Sequence, residues 1–367
     1  MKITAAVARD AGGPFSIEHV VLEEPRMGEI LVRIVATGLC HTDLVVRDQV
    51  LPTPLPAVLG HEGAGIVEKV GPGVTSVAPG DSVVIGFASC GHCGNCTDHQ
   101  PGYCVEFMPR NFGGARPDGS HPIHSLTGEP ISSSFFGQSS FATYALATED
   151  NVVKVPTDMR LELLGPLGCG LMTGAGAVIN ALAPKPGSAV AVFGGGPVGL
   201  AGVMAAAALD CKTVILVEPV AARRELALTI GATHVIDPAA GNPADQIRAI
   251  CPAGVDRVLD TSGVPAAIEA GISVLGSRAM LGYVGVPKSL DAVLTVPVVP
   301  LMVNGSSIKG ITEGDSDPKT TIPQLIALNK AGKFPFEKLI TLYPLEKINE
   351  AIDDQYAGRC VKAVLTM

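Results

Sequence analysis

Ser188-Ala189-Val190-Ala191-Val192-Phe193-Gly194-Gly195-Gly196-Pro197-Val198-Gly199 joins a short apolar run to a glycine turn, and an alanine-rich run, 198–209, follows. The first run reads as a buried strand and the second as a helix. Gly194, Gly196 and Gly199 stand at the spacing G-x-G-x-x-G. The first permits a tight turn, the second lets backbone approach a pyrophosphate, and the third lets helix pack on strand, while the helix N-terminus attracts the anion. Glu218 ends the next strand 19 residues past Gly199, where a carboxylate can bind both ribose hydroxyls of an adenosine. That carboxylate repels a 2′-phosphate and predicts NAD over NADP, although Arg223 and Arg224 argue the other way.

Outward from this turn the pattern continues as alternation from about Leu171. Strands are predicted over 188–193, 213–217, 234–236, 257–260 and 279–284, with helices over 222–230 and 265–275 and Gly231 stopping the former. Two βαβ halves of a doubly wound parallel sheet follow. Before residue 171 the chain reads as short strands broken by Gly and Pro, as at 29–36, 65–70 and 81–85, which predicts a β-rich, barrel-like unit. After residue 318 there is one amphipathic pattern, 322–331, and a closing strand, 361–367.

The 367 residues fit about two domains. A net charge of −9 leaves no basic stripe for phosphates and argues against nucleic acid as a partner. The uncharged stretch 186–209 is long enough to span a bilayer, but Gly194 to Pro197 break it into strand and helix; 292–308 carries Pro297 and Pro300. No membrane association is expected. The Val- and Leu-rich run 292–303 is predicted to lie at a sheet edge and be covered by a second copy, so a homo-oligomer is expected.

Cys90-Gly-His-Cys93-Gly-Asn-Cys96-Thr-Asp-His-Gln-Pro-Gly-Tyr-Cys104 puts four thiols in fifteen residues. Four thiolates at this spacing close a tetrahedron around Zn²⁺ and leave no open position, the pattern of a structural site. Disulfides fit poorly with nine cysteines and a start, Met-Lys-Ile-Thr-Ala, without a secretory leader; a cytoplasmic location is expected. The bacterial iron–sulfur run ends with a three-residue interval and Cys-Pro, whereas here seven residues intervene and Val105 follows Cys104. Of the other five cysteines, Cys40 stands in Cys40-His41-Thr42-Asp43. With Gly60-His61-Glu62 it offers a thiol, an imidazole and carboxylates at strand ends, as zinc sites with an open position require.

With these motifs in this order, joined by Gly60-His61-Glu62-Gly63-Ala64-Gly65 and Leu167-Gly168-Cys169-Gly170, the chain resembles the zinc-dependent medium-chain alcohol dehydrogenases from end to end. The resemblance implies a Rossmann doubly wound parallel sheet inserted in a β-rich GroES-like barrel catalytic domain. The expected division is 1–170 catalytic with a zinc lobe at about 88–106, 171–311 NAD-binding, and 312–367 returning to the catalytic domain. It implies two zincs per chain, one held by Cys40, His61 and Cys169, with Glu62 beside it and Asp43 orienting His61. Thr42 then takes the alcohol proton, His41 and Lys362 are basic contacts to the cofactor, and Thr173 and Val198 press on the nicotinamide. Residues 40–49 and 135–144 look like the aryl-alcohol (benzyl alcohol) dehydrogenase subgroup, which implies an NAD-linked, reversible oxidation of aromatic or bulky allylic primary alcohols to aldehydes. Phe87, Phe135, Phe136 and Phe141 are pocket candidates. Val45 stands where liver-type members carry the last histidine of the proton relay, which leaves His41, water or another group as acceptor. Polyol or formaldehyde-adduct oxidation, a zinc-free reductase and a non-catalytic zinc- and NAD-binding role are the competing readings.

Overall fold

Residues 1–289 and 291–367 are described in this computed structural model, and they fall into two compact units. One comprises Met1–Cys169, Asp317–Pro323 and Leu339–Met367; the other comprises Gly170–Ser316 and Gln324–Lys338.

The second unit is built on a six-stranded parallel sheet in the order His234–Ile236, Thr213–Val217, Ala189–Phe193, Val255–Asp260, Leu275–Tyr283, Ser307–Gly310. The order turns back on itself at Ala189–Phe193, the switch point beside which doubly wound sheets bind ligands. Val190, Ala191 and Val192 are wholly buried, as a strand covered on both faces must be. The helix Pro197–Ala208 opens with proline, whose missing amide costs nothing in a first turn. Its close seat on the strand depends on Gly199, where a Cβ would fall 1.8 Å from the Gly194 carbonyl oxygen.

The first unit holds two sheets. In one, Ala57–Val58, Lys2–Ala8, Phe15–Leu22, Ile123–His124 and Pro130–Ile131 lie in that order. The other runs Val152–Lys154, Ser82–Ile85, Gly63–Val70, Glu29–Gly38, Lys362–Thr366, Ile340–Pro344, with Tyr144–Thr148 also paired to Glu29–Gly38. The second sheet curls into a barrel-like wall around Ile30, Val32, Ile34, Val67, Val83 and Ile85. Through Lys362–Thr366 the last strand of the chain pairs antiparallel with the long strand Glu29–Gly38.

The run 292–303 differs from expectation. It forms no strand; Pro297 caps a helix, Val298–Asn304, and Pro300 sits in its first turn, where a proline costs the helix nothing and would cost a strand a ladder bond. The sheet edge is Ser307–Gly310. Val298, Val299, Met302 and Val303 remain between 64% and 73% exposed. Among the described residues no helix is long and apolar enough to cross a membrane.

Candidate active site

The four-cysteine lobe is a compact loop. Cys93 starts the short helix Gly94–Thr97, which carries Cys96, and Cys104 follows a turn at Pro101–Tyr103. The four sulfurs lie within 4.8 Å of one another. Backbone amides aim at them: Cys90 N donates to Cys104 Sγ at 3.2 Å, Cys93 N to Cys90 Sγ at 3.3 Å and Glu106 N to Cys104 Sγ at 3.4 Å. The Val105 and Cys96 amides pull the Cys93 thiol down to about 6, while burial and Cys93 push Cys96 up to about 12. A divalent cation would relieve that competition among sulfurs.

A second set gathers Cys40, His61, Glu62 and Cys169, whose ligand atoms also lie within 4.8 Å of one another. Cys40 caps the helix His41–Arg47, and Asp43, on the helix's first turn, accepts the Cys40 amide through Oδ2 at 2.9 Å. The other Asp43 oxygen lies 2.8 Å from His61 Nδ1 and accepts the Gly60 amide at 3.1 Å. One fully buried carboxylate thereby fixes both the backbone of Cys40 and the imidazole of His61. With Nδ1 donating to Asp43, Nε2 carries the lone pair; that Nε2 is buried and has no hydrogen-bond partner among the described residues. A buried acceptor without a partner is costly, and a metal ion held with the two sulfurs removes the cost, so the donor set fits zinc. The hydrogen bond with Cys169, helped by His61, holds the Cys40 thiol well below the usual thiol range despite its burial.

Glu62 is held by Lys362, whose Nζ lies 2.7 Å from Oε1 and 2.6 Å from Oε2. Gly38 makes the space, since a Cβ there would lie 1.8 Å from Glu62 Oε2. Burial pushes the Glu62 carboxyl above the usual carboxylate range, and the Lys362 ammonium opposes it. Lys362 also donates to the Leu39 carbonyl at 3.0 Å and is 1% exposed, so its ammonium is spent inside the unit rather than presented to a ligand in solvent. Thr42 Oγ1 lies 3.8 Å from Cys40 Sγ; His41 is exposed at the helix start.

All four candidate phenylalanines are buried, but they separate into distinct places. Phe136 stacks on the His61 ring at 4.4 Å and Phe135 meets it edge-on at 5.4 Å. Phe87 reaches this cluster through Phe107. Phe141 packs against Phe15 instead.

In the other unit the glycine turn opens on a cavity of about 630 Å³ lined by Gly194, Gly195, Gly196, Glu218, Arg223 and Val264 among others. Gly194 has φ +97°, and a Cβ on Gly196 would enter open space, as a backbone meant for close approach by a phosphate requires. Glu218 accepts the Gly195 amide at 2.5 Å and the Val220 amide at 2.9 Å. Arg224 is committed to Asp237 and to the Glu218 and Pro219 carbonyls. Arg223 faces the cavity, with one guanidinium nitrogen 3.9 Å from Glu218 Oε1. Thr173, in the helix Gly170–Gly176, donates to Glu313 at 3.3 Å, and Val198 approaches that helix so closely that a Cβ on Gly174 would lie 1.8 Å from the Val198 carbonyl oxygen.

Two family profiles match the chain: the alcohol dehydrogenase GroES-like domain over residues 26–157 and the zinc-binding dehydrogenase over 197–330. The chain is 48% identical to a geraniol dehydrogenase of Castellaniella defragrans, over 98% of this chain and 96% of the relative. A benzyl alcohol dehydrogenase structure from Acinetobacter calcoaceticus superposes with TM-score 0.97 at 43% identity, covering 100% of this chain and 99% of that one. The plant alcohol dehydrogenase 1 of Trifolium repens is 35% identical over 100% of this chain and 97% of its own length.

The chain belongs to the zinc-dependent medium-chain alcohol dehydrogenases.

As a medium-chain alcohol dehydrogenase it is an oxidoreductase that uses zinc and a nicotinamide cofactor, on a GroES-like barrel joined to a Rossmann sheet. One residue at the centre of this dehydrogenase's buried set escapes sequence reasoning. Gln138, 2% exposed, binds the backbone on both sides of Glu62. Its sequence signals are a polar amide inside Phe135-Phe136-Gly137-Gln138-Ser139-Ser140-Phe141 and a glycine, Gly63, opposite it.

Proposed function

We propose that this enzyme oxidises primary alcohols bearing an allylic or aromatic group to aldehydes, reversibly, with NAD as hydride acceptor. The observation that carries the reading is the buried His61 Nε2, without a hydrogen-bond partner among the described residues, beside Cys40 and Cys169 and flanked by the Phe135 and Phe136 rings. Names of the relatives support the substrate class, since geraniol is an allylic and benzyl alcohol a benzylic primary alcohol.

Cys40, His61 and Cys169 would hold a catalytic zinc, and Cys90, Cys93, Cys96 and Cys104 a structural one, two per chain. Zinc supplies a Lewis acid at the first site, and the nicotinamide supplies the hydride acceptor. Asp43 keeps the His61 tautomer that presents Nε2. The Thr42 hydroxyl, next to Cys40, accepts the proton released by the alcohol and passes it toward solvent, where His41 stands exposed. Val45 puts no titratable group on that path. The turn at Gly194 and Gly196 would receive the pyrophosphate, with Gly199 seating the helix on the strand, and Glu218 and Arg223 would hold the adenosine ribose. Glu218, anchored by two amides, leaves no room for the charge of a 2′-phosphate, which favours NAD.

The exposed face of Val298, Val299, Met302 and Val303 supports a homo-oligomer, dimer or tetramer, that buries it. Reduced thiols in both metal sets suit the cytoplasm. In this reading the catalytic domain is the unit Met1–Cys169, Asp317–Pro323 and Leu339–Met367, and Gly170–Ser316 with Gln324–Lys338 binds the cofactor; the return expected at residue 312 begins at Asp317 and is interrupted by 324–338, which pack with the cofactor unit.

Growth of reduced-nicotinamide absorbance with NAD tests the reading, using geraniol, benzyl alcohol and ethanol side by side and Cys169→Ser as control. Faster turnover of the first two, absent from the control, is expected. No turnover of any alcohol by wild type carrying two zincs would sink the substrate class, and NADP outperforming NAD would overturn the role given to Glu218.

A further inference from the structure

We infer that Gln138 is a positioning residue that completes a hydrogen-bond ladder along residues 58–63 and thereby fixes His61 as a ligand. The inference rests on the proposed zinc set of Cys40, His61 and Cys169.

The segment carrying His61 runs beside residues 138–141 without being a regular strand pair. Val58 O accepts the Ser139 hydroxyl at 2.6 Å, Leu59 O the Phe141 amide at 3.0 Å and Gly60 O the Ser140 amide at 2.9 Å. At the next rung the backbone supplies nothing, because the opposing chain turns away through left-handed residues: φ is +62° at Ser134, +51° at Phe136, +65° at Gly137 and +56° at Ser139. Three of these carry side chains, and the aromatic among them is costly in that region. The Gln138 side chain fills the missing rung. Its Nε2 donates to His61 O at 3.0 Å, and its Oε1 accepts the Gly63 amide at 2.9 Å. One amide thus mimics a peptide group and pins the backbone on both sides of Glu62.

Nε2 also reaches Ile85 O at 3.2 Å and Gly86 O at 3.1 Å. Two N–H groups serve three carbonyls, tying the His61 turn to the end of the strand Ser82–Ile85. Gly63 is part of the device, since a Cβ there would come within 2.8 Å of Gln138 Oε1. The left-handed turn has a second product: it lays Phe136 flat on the imidazole that Gln138 fixes by its backbone. His61 is therefore held at three points, its ring nitrogen by Asp43, its ring face by Phe136 and its carbonyl by Gln138. Two of the three come from residues 136–138. The strain in that segment is repaid by placing both.

The comparison that tests this uses holoenzyme of wild type, Gln138→Met and Asn349→Ala. Asn349 makes the same kind of clamp in the same unit, accepting the Phe15 amide at 3.0 Å and donating to the Phe15 carbonyl at 2.9 Å. Zinc transfer to a chromogenic chelator is followed, the phase missing from His61→Ala marking the catalytic ion. Gln138→Met is expected to release that ion roughly 10- to 100-fold faster and to shift the visible absorption of the Co²⁺-substituted site. Its kcat falls more than its KM changes, while Asn349→Ala releases at the wild-type rate. Release from Gln138→Met within about twofold of wild type, with an unchanged Co²⁺ spectrum, overturns the inference, as does equal acceleration in Asn349→Ala. A wild type whose only zinc persists in His61→Ala overturns the ligand assignment itself. Should Gln138→Met not fold, Gly63→Ala is read against the same outcomes.

Discussion

The cysteine lobe and the buried set around His61 are both collections of soft donors within 4.8 Å, yet they are built in opposite ways. The lobe draws every donor from residues 90–104, leaves Cys93 and Cys96 partly exposed, and aims backbone amides of the same loop at its sulfurs. The buried set reaches from Cys40 to Cys169 and needs Asp43, Gln138 and Lys362 to hold its members. The difference follows from coordination. Four sulfurs satisfy a tetrahedral ion, and the ion itself then organises the loop. A three-donor site keeps one position open, so the fold has to maintain a geometry the ion would otherwise complete with whatever is near. Glu62 is the near group, and Lys362 donates to its Oε1 at 2.7 Å and lies 2.6 Å from its Oε2.

If that contrast holds, damage to the two regions should read out differently. The largest effect is expected from a serine at Cys169: turnover falls to background while one zinc per chain and the folded state remain. The same change at Cys96 should lower the thermal midpoint before it lowers the specific activity of the protein still folded. Zinc content with activity, set beside thermal melts, checks the pair, and identical behaviour of the two variants breaks the comparison.

Next comes Lys362→Met. Removing one partner of a buried ion pair costs about 3–5 kcal/mol, so urea unfolding should shift strongly, and adding Glu62→Gln should restore much of the loss because no charge is then left unpaired. A single variant as stable as wild type would show that Glu62 does not need its partner. The smallest of these effects is assigned to Asp43→Asn, which keeps shape but alters the acceptor for His61 Nδ1–H. Catalytic zinc affinity should fall roughly 10- to 100-fold with the lobe zinc unaffected. Competition against a chelator measures it, and equal weakening at both sites would contradict separate support.

Much of this was readable before any coordinates. The glycine turn 194–199, the strand Thr213–Val217 and the position of Glu218 follow from local pattern, because a parallel strand and its phosphate turn are contiguous in sequence. The lobe is legible for the same reason. Cys169 is not: no spacing connects it to Cys40 and His61, and only family resemblance joined them. The sequence offers Phe87, Phe135, Phe136 and Phe141 alike as pocket candidates and cannot separate them; the ring contacts lay Phe135 and Phe136 beside the His61 imidazole and Phe141 against Phe15. Lys362, marked as a cofactor contact, lies buried against Glu62 because the closing strand brings it there across the sheet. Periodicity shows that a strand closes the chain and says nothing of which neighbour its side chains meet.

The Glu62–Lys362 pair joins positions 300 residues apart, which gives the site a history during synthesis. Translation at 5–20 residues per second separates the two by about 15–60 s. Throughout that interval Glu62 has no counter-ion, and a carboxyl without one is buried only by taking up a proton. The last strand therefore acts as a late latch. A chain that stops short of Lys362 keeps Glu62 either protonated or in water, so the wall around Cys40 and His61 takes its finished form only once that residue has been made.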